Sequence, residues 1–314
     1  MGVQIESITC DGHKSLLKAV RKVCKHVVLQ RCLVHIQRMC RIWLTMRPKS
    51  QAGNDLRIIV NKLHKIKTVE ELGLPTTLIN FAEKKQGLVL VVGPTGHGKS
   101  TTVAALIDYV NHTRADHILT IEDPVEFIFT PDKSIINQRE LFLDTPSFAQ
   151  SLRASLREDC NVIFVGEMRD LESIQTVMTI AETGHLVFAT LHTNDAAQTI
   201  DRIVDVFPSY QQPQLRSQIA SVLIGIVSMR LMPKIGGGRI PAVEILISNN
   251  AIRNVIREGK TFEMDNVVHT SSEAGMISLD KSLATLVAHG QVANEEAINY
   301  VKDVDYFRSL VAKE

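Results

Sequence analysis

The chain has 314 residues, 45% of them hydrophobic, and a formal net charge of +1. That length accommodates two domains, and the composition is ordinary for a soluble globular protein. No uncharged run approaches the roughly eighteen residues that a membrane span requires, and MGVQIESITCDGHK lacks the apolar core of an export signal, so neither a membrane protein nor a secreted one is expected.

The near-neutral total hides a division. Residues 1–67 hold 14 of the 35 basic residues but only 3 of the 34 acidic ones, so they carry about +11 and the remainder about −10. So sharp a split predicts two segments with different histories or partners, and a basic segment invites nucleic acid or an acidic membrane surface. Four of the five cysteines (Cys10, Cys24, Cys32 and Cys40) also lie in this segment, with Cys160 beyond it. An odd count without an export signal predicts reduced thiols in the cytoplasm. Residues 14–45 read as helical. Yet 67 strongly basic residues bury little core, so the segment is not a complete domain. The boundary is placed between Lys67 and Thr68, giving regions 1–67 and 68–314.

From Thr68 an α/β alternation begins. GLVLVVG (87–93) reads as a strand ending on glycine, and KSTTVAALIDYVNH (99–112) as a helix with Val103, Leu106 and Val110 at helical spacing. HILTIED (117–123), NVIFVGE (161–167) and HLVFATLH (185–192) are further apolar runs. FAQSLRASLRE (148–158) and SIQTVMTIAE (173–182) read as helices. The alternation predicts a mainly parallel sheet covered on both faces. DAAQTIDRIVDVFP and much of 212–314 read as helical, broken by IGGGR (235–239) and a strand PAVEILI (241–247).

Gly93-Pro94-Thr95-Gly96-His97-Gly98-Lys99-Ser100, followed by Thr101, fits GxxxxGK[ST] between a predicted strand and a predicted helix. The glycines let backbone N–H groups approach phosphate oxygens, and the helix adds its positive end. Lys99 supplies a point charge and Ser100 a hydroxyl for Mg²⁺. ATP and Mg²⁺ are the expected cofactors. Such a site also needs carboxylates at neighbouring strand ends. The candidates are Glu122, Asp123 and Glu126 after one strand and Glu167 after another, and spacing alone does not choose the base among them. His185 and His192 flank LVFATL, and either is placed to sense the γ-phosphate or orient a carboxylate.

These motifs carry a resemblance. GPTGHGKSTT as Walker A, HILTIEDPVEF as an Asp box, NVIFVGEMRDLE as Walker B and TGHLVFATLHT as a His box stand in the order of the type IV pilus retraction ATPases. That group is the twitching-motility branch of the secretion-ATPase superfamily, and the resemblance runs from Thr68 to about Val311. IGGGR followed by AIRNVIRE (251–258) points to the retraction branch. The resemblance implies a RecA-like P-loop NTPase core with a helical C-terminal part, working as a homo-oligomeric, hexameric ring with ATP between subunits. It implies a cytoplasmic motor, peripheral at the inner membrane through a pilus platform protein, with no specific nucleic acid partner. It makes Glu126 the glutamate that polarises water, Glu167 the Walker B acid near Mg²⁺, and His192 the His-box residue at the nucleotide. Arg253, Asn254 and Arg257 fall on the helix linked with retraction. Cys160 departs from the family's usual proline, and His97 occupies a variable Walker A position.

The larger departure is upstream. The family places a PAS-like domain before the core, supplying ring contacts and arginines that reach the nucleotide from the partner side. Here CDGHKSLLKAVRKVCKHVVLQRCLVHIQRMCR instead resembles a piece of a mutator-type insertion-sequence transposase. Asp11 matches one acid of a DDE triad, and Cys32 and His35 match a downstream Cys-x₂-His pair. One carboxylate does not build a two-metal site, and two ligands do not close a zinc shell. The leading expectation is therefore an ATP-binding and ATP-hydrolysing motor domain weakened by loss of the PAS-like domain. The alternatives are a DNA-binding or DNA-processing protein driven by the P-loop core, and a non-catalytic ring subunit.

Overall fold

In the computed structural model the described residues are 7–10, 28–31, 66–168 and 170–312. The chain divides into two compact units, Met1–Ile66 and Lys67–Glu314. In the first, strands β1 (Ser7–Cys10) and β2 (Val28–Arg31) pair in parallel, with Ser7 opposite Val28. The helical expectation for 14–45 is thus corrected at 28–31, where Val28 and Leu29 join a strand. The rest of that segment, with Cys24, Cys32, His35 and Cys40, lies outside the described residues, as does Asp11 before it.

The second unit is built on a seven-stranded sheet. After the one-turn helix α1 (Ile79–Ala82) come β3 (Gly87–Val92) and α2 (Lys99–Thr113). Next are β4 (His117–Glu122), β5 (Ile135–Glu140), α3 (Phe148–Ser155), β6 (Val162–Val165) and α4 (Leu171–Glu182). β7 (Leu186–Leu191), α5 (Ala196–Asp205), α6 (Gln212–Val222), β8 (Leu223–Pro233) and β9 (Arg239–Ile247) complete the sheet region. The spatial order is β5-β4-β6-β7-β3-β8-β9, and every neighbouring pair is parallel except β8 with β9.

A strand covered on both faces has no polar side to show, which is why β3, β6 and β7 are apolar runs broken only by Thr190 and are buried throughout. Leu88, Leu90 and Val92 enter one core with Ile174, Val177 and Ile180 of α4. Val89 and Val91, which point to the other face, are equally buried. Helix starts follow capping chemistry. Ser147, Asp170 and Asp195 accept from the N–H groups of Gln150, Ser173 and Gln198, fixing where α3, α4 and α5 begin.

Two strands depart from the sequence expectation. Residues 223–233, within the stretch read as mostly helical, form the eleven-residue β8. It is apolar except for Ser228 and Arg230 where it lies between β3 and β9, and so nearly continuous a run carries little period to separate strand from helix. β5 was not expected because, as an edge strand, it is polar and partly exposed. Beyond β9, helices α7 (Asn250–Glu258), α8 (Met264–Thr270), α9 (Leu279–Ala288), α10 (Asn294–Ile298) and α11 (Val304–Val311) follow. Several pack on the hairpin β8–β9 through Met232, Ala242, Leu283, Val292 and Phe307. Among the described residues no helix is long and apolar enough to cross a membrane.

Candidate functional site

Parallel strands bring their carboxyl ends to one edge, so the segments after β3, β4, β6 and β7 converge. Residues 93–98 leave β3 and lead into α2. Gly93 has φ 145°, and a Cβ there would sit 2.6 Å from the Met229 carbonyl oxygen of β8, so only glycine fits this exit. Gly98 has φ 90° and caps α2 with no side-chain hydrogen bond, leaving the first-turn N–H groups aimed at this edge.

Lys99, only 7% exposed, donates from Nζ to the carbonyl oxygens of Gly93 (2.9 Å) and Pro94 (3.0 Å). Burial lowers its pKa, against the opposing fields of Glu167 and Glu126. Nζ also lies 3.3 Å from Nδ1 of His192, as does the Thr95 hydroxyl. Two donors converging on Nδ1 fit the tautomer that carries its proton on Nε2, and Nε2 faces Glu167 Oε2 at 3.4 Å. Ser100 Oγ donates to Glu126 Oε1 at 3.0 Å. Thr95, Lys99, Ser100, Glu126, Glu167 and His192, drawn from the segments that follow β3, β4, β6 and β7, thus occupy one constellation. A cavity of about 600 Å³ opens beside it, lined by Glu167, His192, Thr193, Gln198 and Arg202 among others.

The acidic turn after β4 divides by environment. Asp123 and Glu126 are exposed. Glu122 is buried, accepting from Thr120 Oγ1 at 2.7 Å and from the Glu126 N–H at 3.4 Å, and burial pushes its carboxyl up to about 7. The folded state therefore holds a proton that the unfolded chain releases near pH 4.5. Stability falls as pH rises from about 4.5 through 7, by up to about 3 kcal/mol. Glu122→Gln removes this dependence. Its urea midpoint relative to the parent protein is expected to improve from pH 5 to about pH 7 and to level off by pH 8; a difference that stays flat from pH 5 to pH 7 would show that Glu122 ionises as freely in the fold as outside it.

His185 stands apart. It precedes β7 at the opposite edge of the sheet, where Nδ1 lies 3.0 Å from the Ile180 carbonyl oxygen and the ring closes the α4–β7 turn. The helix carrying Arg253, Asn254 and Arg257 also lies away from the loop. α7 buries Ile252, Val255 and Ile256 and exposes Asn254 and Arg257, with Arg257 donating to Asn254 Oδ1 at 3.2 Å. Arg253 is half-buried and shares a cavity of about 660 Å³ with Lys84, Gly87, Glu182 and Ser248, at the amino end of β3.

Sequence reasoning missed the contribution of β8 and β9 to the loop. The Leu231 N–H donates to His97 Nδ1 at 3.0 Å, and Arg239 Nη1 donates to the Gly96 carbonyl oxygen at 3.4 Å. Burial, followed by the charges of Arg230, Lys99 and Arg239, lowers the His97 pKa. The buried Arg230 donates from Nη2 to Asn194 Oδ1 at 2.8 Å, just after His192. An arginine inside the apolar run LIGIVSMRLM was the signal that could have found it.

Residues 55–239 match the family described as Type II/IV secretion system protein, and residues 2–76 match the family described as Transposase, Mutator family. The chain is 50% identical to the type IV pilus retraction ATPase PilT of Pseudomonas aeruginosa, over 82% of this chain and 74% of that protein. It is 52% identical to a twitching motility protein of Neisseria gonorrhoeae, over 73% of this chain and 62% of that protein. The crystal structure of the pilus retraction motor PilT with bound ADP superposes with a TM-score of 0.72 at 51% identity, covering 78% of this chain and 70% of that one. These similarities follow the α/β core and do not favour a DNA-processing reading.

Proposed function

We propose that this chain, which belongs to the Type II/IV secretion system protein family, binds ATP at the 93–101 loop and hydrolyses it as the motor domain of a pilus retraction type of ATPase. The observation that carries the proposal is the meeting of Lys99, Ser100, Glu126, Glu167 and His192 at one strand edge, linked by contacts of 3.0–3.4 Å. Lys99, with the N–H groups of residues 95–101, holds the phosphates. Glu126 takes a proton from the attacking water as the new P–O bond forms and the bond to ADP breaks. His192, with Nε2 toward Glu167 and Nδ1 toward Lys99, relays the state of the nucleotide to the acid that follows β6.

Mg²⁺ fits the donors present. Among the described residues no group of three His, Cys, Asp or Glu is placed to enclose a metal, whereas the Ser100 hydroxyl and the Glu167 carboxylate stand at the phosphate edge. A sparse protein set of this kind suits an ion that keeps waters and shares the substrate's phosphates. Bound there, Mg²⁺ neutralises phosphate charge.

Residues 68–314 act as the ATPase domain and 1–67 as a separate, transposase-like basic fragment. The working assembly is a hexameric ring of this chain in the cytoplasm, docked on an inner-membrane platform protein, with Arg253, Asn254 and Arg257 serving retraction. Turnover is expected to be slow, because residues 2–76 match the mutator transposase family where the resemblance implies a domain that completes the nucleotide site from a neighbouring subunit. Equilibrium titration with a fluorescent ATP analogue, alongside phosphate release by malachite green, tests this. Saturable binding with turnover below about 1 s⁻¹, the lower end of the usual enzyme range, is expected. Absence of binding overturns the ATPase reading; brisk turnover overturns only the impairment.

A further inference from the structure

The loop from His192 to α5 is held from below by a buried ionic network that the proposed chemistry does not use. Glu244 of β9 is 2% exposed. Its Oε1 accepts from the Ala196 N–H at 2.9 Å and from Ser228 Oγ at 3.1 Å, and its Oε2 meets Lys302 Nζ at 3.2 Å. Lys302 also reaches Asp265 Oδ1 at 2.8 Å and Asp195 Oδ2 at 3.8 Å. Asp195 caps α5. Lys302 is itself fixed: buried Asp280 of α9 accepts from the backbone N–H groups of Lys302 and Asp303 at 2.9 and 3.0 Å. Arg230 grips Asn194 from the other side, and the buried hydroxyls of Thr193 and Thr199 lie 2.6 Å apart.

A carboxylate this deeply buried is costly unless a cation opposes it, and burial raises the Glu244 pKa even against the charge of Lys302 and the Ala196 hydrogen bond that hold it down. Lys302 faces three carboxylates and is strongly held in its charged state by them. The pair spans three parts of the fold: sheet, His192 loop and C-terminal helices. We infer that Glu244 and Lys302 are positioning residues for His192, setting the start of α5 and so the distance of the imidazole from Lys99 and Glu167. Through Asp280, the same pair makes the packing of the C-terminal helices a determinant of the nucleotide site. The inference rests on the reading that His192 acts at the nucleotide.

The test compares full-length parent protein with Lys302→Met, Lys302→Arg and Glu244→Gln. In Glu244→Gln the amide keeps an acceptor for the Ala196 N–H but loses the charge that Lys302 answers. For Lys302→Met and Glu244→Gln, kcat is expected to fall about tenfold with KM within about twofold, the range in which outer-shell partners act. Amide hydrogen exchange is expected to quicken in the peptide covering 192–199 and to stay unchanged in β3. Lys302→Arg is expected to restore both. A lowered melting temperature with kcat intact, or exchange quickened equally across the sheet, would make the pair a structural brace and overturn the inference. A parent protein without Lys99-dependent turnover would instead sink the ATPase reading, and the exchange pattern would still decide the positioning role.

Discussion

Lys99→Ala is expected to lower phosphate release by at least about 10²–10³-fold and to weaken nucleotide binding along with it. The lysine supplies the one positive charge that the loop itself brings to the phosphates, in a setting where it is 7% exposed and poorly screened. Its Nζ also ties Gly93 and Pro94 to His192, so the substitution removes both the charge and the strap that holds the loop against the His192 segment. Lys99→Arg is not a rescue. A planar fork does not reproduce a compact ammonium between two carbonyl oxygens 2.9 and 3.0 Å away. Binding by fluorescence titration and turnover by phosphate release, with circular dichroism to confirm folding, make the comparison. A folded Lys99→Ala protein that turns ATP over at the parent rate would remove the loop from the mechanism altogether.

Glu126→Gln should separate chemistry from binding. The amide oxygen of glutamine still accepts from Ser100 Oγ, so the geometry survives while the base is lost. Nucleotide affinity is expected to change little and kcat to fall by about 10²–10³-fold, the usual contribution of a positioned general base. Glu122 is the competitor, and the two carboxyls differ in a way that decides between them. Its pKa near 7 would suit a base, yet it is only 5% exposed and its oxygens are engaged by Thr120 and the Glu126 N–H inside the turn. Glu126 is exposed and already faces the hydroxyl of the phosphate loop. Single-turnover rates of the two glutamine variants, measured side by side, distinguish the roles. Loss in Glu122→Gln with retention in Glu126→Gln would reverse the assignment.

Much of the site is encoded in short stretches. GxxxxGK[ST] between an apolar run and an amphipathic helix specifies its own loop, because the glycines, lysine and hydroxyl act within a few residues of one another. The buried parallel strands were readable for a similar reason: a strand covered on both faces has no place for polar residues, and β3, β6 and β7 have almost none. β5 and β8 were not readable. One is a polar edge, and the other is a nearly continuous apolar run with little period. His185 and His192 looked equivalent as flanks of one strand. Once the sheet is parallel its two ends face opposite edges, and only His192 stands beside Lys99.

The sequence by itself determined most of the alternation of strands and helices, the glycine-rich 93–101 loop between β3 and α2 and the acids that follow the strands, since each follows from spacing along the chain. Only the tertiary structure decided which of those acids is buried and which faces the loop, and that β8 and β9 brace the loop through Leu231 and Arg239. It alone brought Lys302 to Glu244 across 58 residues. Burial and the fields between charges depend on which strands become neighbours. That order is settled by packing the whole core, and no local pattern records it.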